Sequence, residues 1–215
     1  MAADRKPYVV GIVGGSASGK SAFVRDLGAR LPAGTSSLVS QDNYYRRLEE
    51  QERDPSGQAN FDLPTSFHRD CFFTDLGALI RGETVTRNEY TFNHRQRPGA
   101  SITIPPADVI LVEGLFLLHY EEIRALLDLR VFVEAKDEIC KARRLKRDAL
   151  ERGYPMEHVE YKWTAHVLPA YQQFILPYRD EAHIIVTNHV NYDKGLEVVA
   201  HHVLAKLAER AESTS

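Results

Sequence analysis

The sequence predicts an α/β domain with a parallel central sheet, and three observations predict it. Four runs, 8–13, 108–112, 129–133 and 183–186, are almost continuously apolar, as strands covered on both faces are. Segments with helical periodicity lie between and after them, so strands and helices alternate along the chain. At 215 residues, with 43% hydrophobic and 27% charged side chains, the chain has the size and composition of one domain, 1–215, with its own core.

The elements follow in order. The strand over 8–13 runs into a Gly/Ser-rich turn and then a helix over about 19–31. A short strand over 37–40 ends at Gln41-Asp42. Residues 43–64 are polar, contain the turn Asp54-Pro55-Ser56-Gly57, and predict a long loop. Thr65 or Ser66 is the expected cap of a helix that stops near Gly82. Two β-rich pieces, 83–92 and 101–104, joined by the polar link 93–99, predict a hairpin over 83–104 that projects from the parallel sheet. From about Asp137 a helix sets Ala142, Leu145 and Ala149 on one face and Arg143, Arg144 and Arg147 on the other. Helical character continues over about 137–180.

Composition excludes several functions. A net charge of −3 speaks against a protein built to grip nucleic acid. No apolar run is long enough to span a bilayer, and the first residues pass into a strand with no signal-peptide core. The two cysteines, Cys71 and Cys140, are far apart, and the nine histidines show no zinc spacing. The expectation is a reduced, cytoplasmic enzyme.

The strongest motif is Gly14-Gly15-Ser16-Ala17-Ser18-Gly19-Lys20-Ser21, which fits G-x-x-x-x-G-K-[ST] throughout. Small residues let the backbone curl until its N–H groups face phosphate oxygens, and the following helix adds its positive end. Lys20 is expected on the β and γ phosphates and Ser21 on Mg²⁺. The motif lies between a predicted strand and a predicted helix, so the expected fold is a P-loop NTPase-type parallel sheet flanked by helices. Glu113 closes the apolar run 109–112, at the carboxyl end of a strand, where such sheets place their ligands. It is the expected metal-supporting carboxylate. Asp42 ends the second strand at the same edge and can accept the proton of an attacking hydroxyl.

Further stretches make the likeness more specific. Ser40-Gln41-Asp42-Asn43-Tyr44-Tyr45 and Asn60-Phe61-Asp62-Leu63-Pro64 follow the cradle. Pro106-Ala107-Asp108-Val109-Ile110-Leu111-Val112-Glu113-Gly114, Arg143-Arg144-Leu145-Lys146-Arg147-Asp148 and Glu151-Arg152-Gly153 come later, in order, to about residue 200. Together they resemble the uridine–cytidine kinase family. The resemblance implies phosphorylation of a pyrimidine ribonucleoside at its 5′-hydroxyl, with ATP or GTP as donor and Mg²⁺ as cofactor, in pyrimidine salvage. It implies Asp42 as catalytic base, Tyr45 as a nucleoside contact, Asp62 on the ribose hydroxyls and Arg144 as its basic partner. Arg147 and Arg152 resemble lid arginines that follow the phosphates, and Tyr90, Phe92 and His94 resemble the groups around the base. Nucleoside and nucleotide are the expected partners, and the resemblance implies a homo-oligomer, a tetramer.

The chain departs from the family pattern at four places. Tyr90-Thr91-Phe92-Asn93-His94 is one residue shorter than the usual hairpin run. Tyr154 stands for an arginine, Lys162 for a glutamine near the base, and Asn188-His189 for an Arg-Gly pair after the last strand. Two other functions compete: a related kinase acting on pantothenate or a sugar phosphate, and a non-catalytic nucleotide-binding regulator.

Overall fold

The computed structural model describes residues 6–91, 99–150 and 153–212. Strands β1 (Tyr8–Val13), β2 (Ser36–Ser40), β5 (Val109–Gly114), β6 (Leu129–Glu134) and β7 (Ile184–Thr187) form one parallel sheet in the order β2-β5-β1-β6-β7. β3 (Val85–Asn88) and β4 (Ser101–Ile104) pair antiparallel in a separate two-stranded sheet. This pair lies within the span 83–104 and does not extend the main sheet, and residues 92–98 lie outside the described residues.

Alternation along β1 explains why its sequence is continuously apolar. Val9 and Val13 face one cluster with Val39, Ile110, Val112 and Phe132, covered by α2 (Arg69–Ile80) and the segment 115–127, which carries α3 (Glu121–Arg124). Val10 and Ile12 face the other, with Leu111, Val131 and Val133, covered by α1 (Lys20–Arg30) and α7 (Asp193–Glu212). Each fully buried Val or Ile contributes roughly 1.5–3 kcal/mol, so both faces stabilise the sheet strongly.

Two expectations need correction. Neither Thr65 nor Ser66 caps α2; His68 precedes that helix. Pro64–Ser66 is a separate 3-10 turn, and the Tyr45–Phe67 bridge holds residue 67 extended, which delays the helix. The Thr65 and Ser66 hydroxyls donate instead to Glu52 and to the Asn60 carbonyl. On α4 (Asp137–Leu150) the buried stripe is Cys140, Arg144 and Asp148, whereas Ala142 is exposed. The charged stripe therefore faces the protein, because Arg144 has carboxylates to meet there.

After α4 a continuous helical run spans 156–175. It comprises α5 (Met156–Lys162), a π turn (Trp163–Val167), α6 (Leu168–Ala170) and a second π turn (Tyr171–Ile175). Pro169 lacks an N–H and crowds the preceding turn, which favours widening there. A 3-10 turn, Leu176–Glu181, leads to β7.

Candidate active site

The cradle lies where β1 passes into α1. A Cβ on Gly14 would fall 2.2 Å from the Val133 carbonyl oxygen of β6, so this position admits no side chain. Ala17, at φ 61°, is the one non-glycine residue with positive φ among the described residues. That conformation costs roughly 1–2 kcal/mol. Gly19 precedes α1 with no side-chain cap, and the first turn holds no acidic residue. The positive helix end and its unpaired N–H groups are thereby left to an anion. Lys20 opens the helix and is buried.

Strand register brings the oxygen groups together. Glu113 on β5 pairs with Ser40 on β2 on one side and with Ile12 on β1 on the other. Its carboxylate accepts from Ser21 Oγ at 3.1 Å and from Ser40 Oγ at 2.5 Å. Ser40 Oγ in turn accepts from the Asp42 N–H at 3.3 Å, which anchors the 3-10 turn Gln41–Tyr44 at this edge. Gln41 is buried, and its Oε1 accepts from the Phe116 N–H at 3.0 Å, tying the Asp42 turn to the segment after β5. Hydroxyl and carboxylate oxygens at one strand edge fit a hard divalent cation that takes its remaining ligands from phosphate and water. Among the described residues no group of three or more His, Cys, Asp or Glu is gathered for a metal.

Arg144 joins three parts of the site. Its Nη1 donates to Ser16 Oγ of the cradle at 2.8 Å and to Asp62 Oδ1 at 3.2 Å, and its Nη2 donates to Asp62 Oδ2 at 3.5 Å. Its Nε lies 3.2 Å from Asp148 Oδ2, one helical turn on. All three charged side chains are nearly sealed, at 10% exposure for Arg144, 9% for Asp62 and 5% for Asp148. Asp62 is held from its own backbone, since its N–H donates to Asn60 Oδ1 at 2.9 Å. Arg147 is more exposed and donates from Nε to Asp148 Oδ1 at 2.8 Å.

An aromatic wall adjoins that pair. The Tyr45 ring lies 5.7 Å from Phe61, 4.1 Å from Phe67 and 5.2 Å from Tyr90. The Tyr90 N–H donates to Asn43 Oδ1 at 3.1 Å, which ties the hairpin to the Asp42 turn. Arg87 of β3 bonds Asp75 of α2 at 2.7 Å and stacks on Tyr44, holding the hairpin's base. Lys162 reaches the same region, 5.9 Å from the Phe61 ring and 5.4 Å from that of Tyr154. Burial pulls its ammonium below the usual lysine range and Arg144 repels it further, while Asp62 acts the other way.

The helical run closes the far side. Trp163, Val167, Leu168 and Tyr171 form a cleft with Gly15, Ser16 and Ser18 of the cradle. A second tie joins the run to the loop that carries Asp62: Tyr161 OH and His166 Nε2 each lie 2.7 Å from Asp54 Oδ2. Burial acts to raise the Asp54 carboxyl, but those two bonds, with N–H donors from Gln58 and Ser56, bring it down to about 2.

The structure thus brings together Gly14 to Ser21, Asp42, Glu113, Asp62, Arg144, Tyr45 and Tyr90, with Arg147 alongside. Phe92, His94 and Arg152 lie outside the described residues. Sequence reasoning passed over Phe61, Ser40, Asp148 and the Asp54–Tyr161–His166 tie. The place of Phe61 beside Asp62 and the i,i+4 spacing of Asp148 to Arg144 are signals too common to single either residue out. Nothing in the sequence marks His166.

Such a cradle, with a strand-end carboxylate and the buried Asp62–Arg144 pair beside it, defines a P-loop kinase that acts on a small molecule. Residues 9–193 match the Phosphoribulokinase / Uridine kinase family, and the chain belongs to that family. It is 39% identical to the uridine kinase of Leuconostoc citreum over 183 residues, covering 84% of this chain and 87% of that one. It is 34% identical over 206 residues to uridine-cytidine kinase A of Dictyostelium discoideum, covering 96% of this chain and 41% of that longer protein. The phosphoribulokinase of Rhodobacter spheroides shares the fold at a TM-score of 0.60 and 19% identity, over 86% of this chain and 71% of that one. No helix among the described residues is long and apolar enough to cross a membrane.

Proposed function

We propose that this enzyme transfers the γ-phosphoryl group of ATP or GTP to the 5′-hydroxyl of uridine and cytidine. The observation that carries the reading is the Asp62–Arg144 pair, which touches the cradle through Ser16 on one side and adjoins the aromatic wall of Phe61, Tyr45 and Tyr90 on the other. Ribose hydroxyls fit the carboxylate, a flat ring fits the aromatic wall, and phosphates fit the cradle.

Each residue then has a part. Lys20 and the N–H groups at the start of α1 bind the donor's phosphates. Asp42 holds the 5′-hydroxyl and takes its proton as the oxygen attacks. Asp62 orients the ribose, and Arg144 holds Asp62 in place. Arg147 and Arg152 bring positive charge to the transferring group, and the helical region over 137–180 keeps water out. Ser21 and Glu113 would hold Mg²⁺. When bound, the ion offsets charge on the β and γ phosphates. The names of the Leuconostoc and Dictyostelium relatives support the same acceptor class.

A coupled ADP-release assay over uridine, cytidine, adenosine, pantothenate and a sugar phosphate tests the reading. Turnover confined to the two pyrimidine nucleosides is expected. Efficient use of pantothenate or a sugar phosphate would overturn the acceptor, and nucleotide binding without turnover of any acceptor would make the chain a regulator.

A further inference from the structure

Asn188 follows β7, where the chain departs from its family's usual Arg-Gly pair, and the structure gives it a site. It is 5% exposed. Its Nδ2 donates to the Ser18 carbonyl of the cradle at 2.8 Å. Its main chain is held from both sides: its N–H donates to the Glu134 carbonyl at the end of β6 at 2.7 Å, and its carbonyl accepts from Arg143 Nη2 of α4 at 3.2 Å. With backbone and amide both fixed, the side chain has one direction to point.

We propose that Asn188 is a positioning residue that presets a phosphate-binding N–H of the cradle. In a trans peptide the C=O and N–H of one plane point in opposite directions. Fixing the Ser18 carbonyl on Asn188 therefore turns the Gly19 N–H away from Asn188, toward the donor's phosphates. Gly19 makes room for this arrangement. Its φ of 102° is a glycine conformation, and a Cβ there would lie 2.3 Å from Asn188 Nδ2. Because Arg143 holds Asn188 from α4, the helix that carries Arg144 is linked to the same peptide.

The inference rests on the nucleotide-binding reading of the cradle, and calorimetry separates the two. Wild-type protein is titrated with Mg·ATP and, separately, with uridine, followed by Asn188→Ala and the bulkier Asn188→Leu, which also lacks the donor. Failure of the wild type to bind ATP would sink the nucleotide reading itself. With binding intact, the inference expects the ATP Kd to rise roughly tenfold in both folded variants, the usual worth of one buried hydrogen bond. The uridine Kd should stay within about twofold of wild type, a split that a loss confined to general stability would not produce. An ATP Kd unchanged in a folded variant, equal weakening of both ligands, or loss of the fold in both variants would overturn it.

Discussion

Arg144 joins three parts of the candidate site through one side chain. It bonds Ser16, bonds Asp62 and lies beside Asp148, so removing it leaves two buried carboxylates without their shared cation. Its value should appear in acceptor selection. 2′-Deoxyuridine offers Asp62 one hydroxyl fewer, which typically costs about 1–3 kcal/mol. Its kcat/KM is expected roughly 10- to 100-fold below that of uridine, and parity in steady-state kinetics would remove Asp62 from the ribose. Asp42→Asn should cut kcat by roughly 10²–10⁴ while leaving ATP and uridine binding nearly unchanged, as single-turnover and binding measurements would show. Lys162 donates only and stands at the edge of the aromatic wall, so on the proposed reading, if it reaches the base, an acceptor such as uracil O4 is favoured. Lys162→Gln should therefore shift the uridine-to-cytidine ratio of kcat/KM toward cytidine. The placement of the cradle, Asp42 and Glu113 at one sheet edge was legible in the sequence, because a fixed motif and the strand ends mark it along the chain. Phe61 and Asp148 were not, because an aromatic ring or an i,i+4 carboxylate has the same sequence appearance in an ordinary core or on a solvated face.

At the scale of elements, the central strands β1, β5 and β6 were legible because strands buried on both faces have no polar side to disguise them. The orientation of α4 was not. Its apolar positions suggested a face, but the buried stripe runs through Cys140, Arg144 and Asp148. Pairing with Asp62, 82 positions away, outweighs the pull of two alanines and a leucine, and no local pattern reports a partner so distant. The tie between the 54–58 turn and the helical run is equally non-local. Asp54 receives Tyr161 and His166 on one oxygen, and its carboxyl sits at about 2 against an ordinary 3.8. A folded-state value below the unfolded one means that the tie contributes fully above about pH 4 and is lost as pH falls through about 2. Thermal melts between about pH 5 and pH 2 should show a smaller acid-induced fall in Tm for Asp54→Asn than for the wild type. An identical fall in both proteins would show that the tie carries no acid-sensitive stability.

For the whole molecule, one sheet edge gathers the ends of β1, β2 and β5, so ligand binding should stabilise the fold as a unit. Mg·ATP at 100 times its Kd adds about 2.7 kcal/mol, roughly 5–10 °C in Tm for a domain of this size. That shift should vanish in Lys20→Ala, and a shift of wild-type size in the variant would remove Lys20 from phosphate binding. The strand order has a further consequence, for synthesis. β1 is made first yet sits at the centre of the sheet, between β5 and β6. Its partners start at Val109, opposite Tyr8, and at Leu129, opposite Val10. A growing chain that has left the ribosome only through residue 104 therefore carries the apolar strand 8–13 with neither neighbour in existence. The phosphate loop, which depends on Val133 and Asn188 to shape it, cannot form until the chain is out through residue 188. Chaperones that bind extended apolar segments have their longest access at residues 8–13. Ribosome-stalled chains ending before β6 should remain open to protease throughout, with the first protected fragment appearing only when β6 has emerged.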